Sequence, residues 1–191
     1  DDTGSNNIAI GYEAAMDMNG ASGLTIVGYN AGKALQTGSS NTLIGNRAGS
    51  GITTGSNNTA VGSGALQTED AGADNVAIGV NALGILNAGT GGGNTVVGSQ
   101  ACKFMTTGVE NTIIGGYAGR YATGSYNTFI GYNTGDGGTT SAPFSSGEKN
   151  VAIGDRAMRV FTTGHSNVVV GNQAGYNIDS GHELTIMGYQ A

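Results

Sequence analysis

The chain of 191 residues is long enough for one or two ordinary domains, yet it has 37 glycines, one proline, no tryptophan and only 10% charged residues. Its formal net charge of −6, with seven scattered Lys and Arg, excludes a basic surface for a nucleic acid backbone. No apolar run approaches the length of a membrane span, and the single cysteine, Cys102, excludes an internal disulfide.

A short phrase recurs along the chain, from NNIAIG at 6–11 to LTIMG at 184–188. Its most regular position is a glycine, which we call the anchor of each repeat. The anchor occurs eleven times, at Gly11, Gly28, Gly45, Gly62, Gly79, Gly98, Gly115, Gly131, Gly154, Gly171 and Gly188. Successive anchors lie 17, 17, 17, 17, 19, 17, 16, 23, 17 and 17 residues apart. A regular period of this length indicates a stacked repeat architecture.

The three residues before each anchor predict a short β-strand. The residue three before the anchor is always β-branched, and the next two are apolar. Stiff β-branched side chains suit a pleated surface, whereas segments such as TTGSNN are typical of turns. Alanine stands three residues after the anchor in ten of the eleven repeats. We therefore expect each repeat to form a strand, a glycine corner, a second short strand around this alanine, and a loop.

A single repeat of this kind cannot bury its own apolar face, so the repeats must stack. The sequence predicts an all-β fold, with one parallel β-solenoid domain over 1–191 built from about eleven coils of ~17 residues. At about 4.8 Å per coil, the stack forms a rod roughly 50 Å long. Asparagine stands four residues before the anchor in nine repeats, and we expect these side chains to hydrogen-bond along the stack.

Both faces of the predicted strands lack charge. Successive side chains of a strand point to opposite faces, and strands that are apolar on both faces are buried on both. One face therefore fills the coil, and we expect the other to meet a second chain in an oligomer. We assign this interface to the residue two before the anchor, as in Leu43, Ala60, Val96, Ile113, Phe129, Val169 and Ile186.

No column of the repeat carries acid–base or nucleophilic groups. His165 and His182 lie in loops before predicted strands, and Glu69 and Asp70 share a segment that reads as a solvated turn. Cys102 takes a position that glycine or leucine holds in other coils, which predicts a buried thiol. We therefore expect no enzyme activity, no catalytic residues, no metal site and no cofactor.

Two features indicate a ligand-binding surface. An insertion at 135–149 carries the only proline, Pro143, followed by Phe144. Insertions in solenoids form loops on one side, often the binding side. Tyr132 directly follows an anchor glycine, and tyrosine either stacks on a sugar or packs at a corner or subunit seam.

DNVAIGVNAL at 74–83 and KNVAIGDRAM at 149–158 resemble the head repeats of trimeric autotransporter adhesins. TTGSNNTAVGSGAL at 53–66 and ATGSYNTFIGYNTG at 122–135 resemble the NTAIG-type arrays of phage tail-fibre proteins and related bacterial surface proteins. The resemblance implies a left-handed parallel β-roll assembled as a homotrimer. It also implies an extracellular location, on a virion fibre or cell surface, and attachment to a surface glycan or protein receptor.

Ice binding is the alternative function. Some antifreeze proteins order water on a flat β-solenoid with a threonine column, and Thr stands three before the anchor in seven repeats. The column is interrupted by Ile8, Val76, Val151 and Val168, which favours the attachment module.

Neither end of the chain carries a predicted capping unit. The sequence begins within a repeat, at DDTGSNNIAIG, and stops at MGYQA. Open terminal coils expose apolar side chains and strand edges. We therefore expect the module to be a fragment of a longer fibrous protein, or to stack end to end on another copy.

Overall fold

The computed structural model describes residues 4–138 and 145–191, and these ranges contain β-strands and turns but no helix. The strands are short, and each of the eleven predicted before an anchor is present. In chain order they are β1 (Ile8–Ile10), β2 (Thr25–Val27), β3 (Thr42–Ile44), β4 (Thr59–Val61), β5 (Val76–Ile78), β6 (Thr95–Val97), β7 (Thr112–Ile114), β8 (Thr128–Ile130), β9 (Val151–Ile153), β10 (Val160–Phe161), β11 (Val168–Val170), β12 (Asn177–Asp179) and β13 (Thr185–Met187).

Eleven strands form one parallel sheet in the order β1 to β9, β11 and β13. Equivalent residues of successive repeats pair with each other, as Thr42 with Thr59 and Ile44 with Val61. The strands β10 and β12 form a second, two-stranded parallel sheet. The predicted parallel β-solenoid is confirmed, with about ten turns of ~17 residues joining the eleven strands.

The core is a file of apolar side chains along the solenoid axis. Each inner coil contributes the residue two before the anchor, such as Val96, Ile113 and Phe129, all fully buried. The Phe129 ring meets the Phe161 ring edge-on, with centroids 5.8 Å apart. A fully buried side chain of this size contributes about 1.5–3 kcal/mol to folding, so the file along the axis is the main source of stability.

The prediction of a second strand around the alanine three residues after each anchor is wrong, because the chain forms turns there. Residues two and four after the anchor take positive φ, for example 56° at Arg47, 54° at Asn81 and 48° at Leu83. Positive φ costs a residue other than glycine roughly 1–2 kcal/mol. At Leu66 and Leu83 the side chain is fully buried, and that burial outweighs the backbone strain.

The anchor glycines mark the closest approach of successive coils. A Cβ atom on Gly98, whose φ is 144°, would lie 2.2 Å from the carbonyl oxygen of Gly115 in the next coil. The same contact recurs between Gly62 and Gly79, at 2.5 Å. No side chain fits at these corners, and the positive φ favours glycine as well.

Buried asparagines four residues before the anchor form a hydrogen-bonded ladder along the solenoid. The Asn111 Nδ2 group donates to the Asn94 Oδ1 atom at 3.0 Å and to the Gly124 carbonyl at 3.1 Å. The Asn111 Oδ1 atom accepts the backbone N–H of Asn127 at 2.8 Å. The same bond, in which the Oδ1 atom accepts the backbone N–H of the equivalent residue in the next coil, is formed by Asn7, Asn41, Asn58, Asn75, Asn94, Asn127, Asn150 and Asn167. The predicted hydrogen bonding along the stack is confirmed.

The ladder is unchanged where the coil length changes. Where successive anchors lie 19 residues apart, the Asn94 N–H donates to Asn75 Oδ1 at 3.2 Å. Where they lie 16 residues apart, the Asn127 N–H donates to Asn111 Oδ1 at 2.8 Å. Where they lie 23 residues apart, the Asn150 N–H donates to Asn127 Oδ1 at 3.0 Å. The ladder bonds are therefore kept at each of these three changes of coil length.

Glu69 does not lie in a solvated turn, as the sequence suggested, but is fully buried. It stands seven residues after its anchor, the position that Leu86 and Met105 fill in other coils. Its Oε1 atom accepts the N–H groups of Asp70 at 3.0 Å and Gly72 at 2.8 Å. A buried carboxylate requires such donors, which here come from the turn that follows it.

We expect Asn111→Ala to lower the free energy of unfolding by about 3 kcal/mol. The substitution leaves the Asn127 N–H and the Gly124 carbonyl buried without their partner, at a cost of about 1–3 kcal/mol each. Chemical denaturation measures this change. Asn46→Ala, at an exposed position after an anchor, is the control and should change stability by less than about 0.5 kcal/mol. Equal effects of the two substitutions would contradict the role of the ladder.

Candidate functional site

The face of the large sheet that points away from the core carries no charged side chain along its entire length. We call it the outer face and define it by the residues three and one before each anchor. All 22 of these residues are Thr, Val, Ile or Met, and none is charged or an amide. Ile44, Ile78, Ile114, Ile130 and Ile153 form a regular row in which each side chain is between 36% and 40% exposed.

The outer face is a large uncharged surface. Eleven strands about 4.8 Å apart, with a width of roughly 12 Å, give an area on the order of 600 Å². The largest apolar patch of a typical soluble monomer covers about 300–600 Å², and a patch of this size is often functional. The outer face is therefore the first candidate functional surface.

The sequence-based assignment of the two strand faces is reversed. Six of the seven residues assigned to the interface are fully buried inside the coil, namely Leu43, Ala60, Val96, Ile113, Phe129 and Val169. Ile186, in the last strand, is partly buried against the same core. The two faces have similar composition, and the direction of the glycine corner, which the sequence does not display, decides which of them points inward.

Of the three residues predicted to bind a ligand, the structure describes Tyr132. It is 49% exposed, and the edge of its ring contacts the Tyr117 ring at a centroid distance of 5.8 Å. Pro143 and Phe144 lie outside the described residues. Tyr12 and Tyr29 also stand directly after their anchors, and their rings stack with centroids 5.4 Å apart. These tyrosines flank the outer face.

A charged column that the sequence analysis did not identify runs along another side of the solenoid. It consists of the residues five after the anchor on five successive coils, Lys103, Arg120, Asp136, Arg159 and Tyr176. The Nη2 atom of Arg120 donates to Asp136 Oδ2 at 3.3 Å. These residues are 16 to 23 apart in sequence. Their proximity can be predicted only when the repeats are aligned on their anchor glycines, which places all five at the same position of the repeat.

The two histidines contact each other. His165 and His182 lie on successive coils with their rings stacked at 5.0 Å, and both are exposed. The His165 Nδ1 atom lies 3.4 Å from the Ser166 hydroxyl, and the His182 Nδ1 atom lies 3.1 Å from the Ser180 carbonyl oxygen. Within 4–138 and 145–191, no three His, Cys, Asp or Glu side chains are grouped as a metal ion would need.

Neither a protein family model, nor a curated protein, nor a solved structure matches this chain. In the part of the chain that the structure describes, no helix has the length and apolar character needed to cross a membrane.

Cys102 is fully buried, as predicted from its position, and burial raises the pKa of its thiol. Because the thiolate is the reactive form, we expect Cys102 to resist alkylation by iodoacetamide at pH 8 in the folded protein. Mass spectrometry after timed incubation measures the reaction. The same protein in guanidinium should react fully within minutes, and equal rates in the two states would show that the coil around Cys102 opens readily.

Proposed function

We propose that the chain is a structural and attachment module that assembles as a homotrimer through the outer face. In this proposal the trimer belongs to an extracellular fibre or surface adhesin, and its loops contact a glycan or protein on a cell surface. The observation that carries the proposal is the uncharged outer face, which is continuous over all eleven strands. The proposal assigns no catalytic activity to the chain.

The size of the outer face fits an interface between copies of the chain. A stable interface buries about 800 Å² on each partner, and the outer face with its flanking tyrosines approaches that area. A second copy offers the same uncharged surface with the same spacing between coils. Three such faces around a common axis enclose an apolar prism, and each face then contacts both neighbours.

The stacked coils suit a rod that bears load. The eleven strands pair in register, and the asparagine ladder fixes the successive coils to one another through buried hydrogen bonds. The ladder bonds are kept where the coil length changes, so a module of this kind would hold its loops at fixed heights along the fibre. Loops supported by a rigid scaffold are common binding elements.

We expect the wild-type chain to have three times its chain mass of 18.9 kDa in light scattering coupled to size exclusion. The double substitution Ile44→Lys and Ile114→Lys should give the mass of one chain, because an unpaired buried charge costs several kcal/mol. Circular dichroism should remain native, because both side chains point away from the core.

The matched control is Thr54→Lys with Thr107→Lys, which adds the same charge at two exposed turn positions. It should keep the trimer. A wild-type monomer, or a trimer that survives the isoleucine substitutions, would contradict assembly through the outer face.

Ice binding is the second candidate, and the regular spacing of the outer face favours it over any other alternative. Thr42, Thr59 and Thr112 lie at equivalent positions of one parallel sheet, the arrangement with which some antifreeze proteins order water. If the face binds ice, the chain is monomeric and shows thermal hysteresis that the substitution of Ile44 and Ile114 by lysine removes. A trimer without thermal hysteresis excludes this candidate.

A further inference from the structure

Two columns of residues border the outer face, one on each side of the strands. We call the residues five before each anchor the leading column and the residues one after each anchor the trailing column. Both continue the alternation of the strand, so they lie on the side away from the core. The leading column consists of Asn6, Gly23, Ser40, Asn57, Asp74, Gly93, Glu110, Tyr126, Lys149, Ser166 and Glu183, all exposed. The trailing column consists of Tyr12, Tyr29, Asn46, Ser63, Val80, Ser99, Gly116, Tyr132, Asp155, Asn172 and Tyr189.

The two columns carry complementary charges in one coil. Lys149 is the only cation of the leading column, and Asp155 is the only charged residue of the trailing column. They stand at opposite ends of the strand Val151–Ile153. The outer face of this coil therefore has a positive end and a negative end.

Both groups are available to another chain. Lys149 is exposed and forms no ion pair within 4–138 and 145–191. The Asp155 side chain is 34% exposed, and Arg156 and Asn172 donate to its Oδ2 atom at 3.1 and 3.4 Å. Among the described residues, no donor is bonded to Oδ1, which leaves this oxygen for a further cation.

The symmetry of a closed ring decides which residues of two copies meet. Copies related by rotation about an axis along the solenoid differ by no translation, so equivalent coils lie at the same height. All strands then run in the same sense around the ring. The leading column of one copy therefore meets the trailing column of the next, coil by coil.

This register brings compatible side chains together. Lys149 meets Asp155 of the next copy, and in the preceding coil Tyr126 meets Tyr132 of the next copy. Both tyrosines are exposed, by 47% and 49%, and aromatic pairs of this kind stabilise an interface beyond their buried area. None of the eleven pairs of facing residues opposes two like charges.

Shifted registers lose this match. A shift of two coils in one direction places Glu110 opposite Asp155, and a shift of two in the other direction places Glu183 there. Like charges in contact oppose association. A shift of one coil places Tyr126 or Ser166 opposite Asp155, so only the unshifted register forms an ion pair between the two columns.

We propose that the leading column of each chain docks on the trailing column of a second copy in exact axial register, with Lys149 paired to Asp155 and Tyr126 packed against Tyr132. The inference rests on the proposed assembly through the outer face, for which it specifies the contacts at the seams between copies.

Carbodiimide crosslinking of the wild-type chain tests the register, because the reagent joins a lysine amine to a carboxylate in contact with it through an amide bond. We expect a covalent trimer on a denaturing gel, and mass spectrometry of its peptides should identify a link between Lys149 and Asp155. Within one chain the segment 150–154 separates these residues by roughly 13 Å, so the link reports on two copies. A trimer without this link would overturn the proposed register.

Charge reversal tests the ion pair. Lys149→Glu should raise the concentration at which the trimer dissociates by about tenfold or more, because the ring contains three such contacts and each becomes repulsive. Glu110 and Glu183 have the same backbone conformation, with φ of 55° and 57° against 58° at Lys149, so the substitution suits the fold. Adding Asp155→Lys should restore the trimer.

Lys103→Glu is the matched control, since it makes the same change of charge in the charged column on another side of the solenoid. An equal effect of this control, or no recovery in the double variant, would overturn the pairing of Lys149 with Asp155.

Light scattering of the wild-type chain separates this inference from the proposed assembly. A trimer that lacks the crosslink contradicts the register alone. A monomer contradicts the assembly and the register together. A dimer that forms the link contradicts the threefold symmetry but supports the pairing of the two columns.

Discussion

The buried asparagine ladder is the interaction on which the rest of the structure depends. A coil of about 17 residues has to turn its backbone inside a narrow stack, and the turn leaves backbone N–H and carbonyl groups facing the core. Eight of the nine asparagines satisfy one of each, as Asn111 does for the Asn127 N–H and the Gly124 carbonyl. Since a buried polar group without a partner costs about 1–3 kcal/mol, the coil closes where this side chain can reach both.

Once the ladder fixes the spacing of the coils, side chains at one position of the repeat become neighbours in space. The same rule produces two surfaces of different chemistry. One is the outer face, where only Thr, Val, Ile and Met occur, and the other is the charged column around Asp136. The stacking of the coils is compatible with either kind of side chain, because these side chains point away from the backbone hydrogen bonds that hold the coils together. One regular scaffold thus carries surfaces of different chemistry on different sides.

The sequence predicted the parallel solenoid, its strands and its asparagine ladder, because each of these leaves a periodic pattern. It did not predict which strand face is inward, since Leu43 and Ile44 are both apolar and the corner geometry decides between them. The turn after the anchor was mistaken for a strand because positive φ at Leu83 runs against the preference of that residue. The ion pair between Arg120 and Asp136 depends on a contact between single residues of different coils, which no period displays.

The tolerance of the ladder to coil length has a consequence for how the sequence of such a solenoid is free to change. A turn that holds 23 residues ends on the same bond as one that holds 16, so the perimeter of a single coil is free to grow while the pitch of the rod stays constant. Lengthening a loop twofold costs only about 0.6 kcal/mol of closure entropy. The scaffold therefore separates the part that must keep its dimensions from the part that is free to vary. Peptide segments inserted where the coil length changes would be displayed at a set height on an otherwise unaltered solenoid.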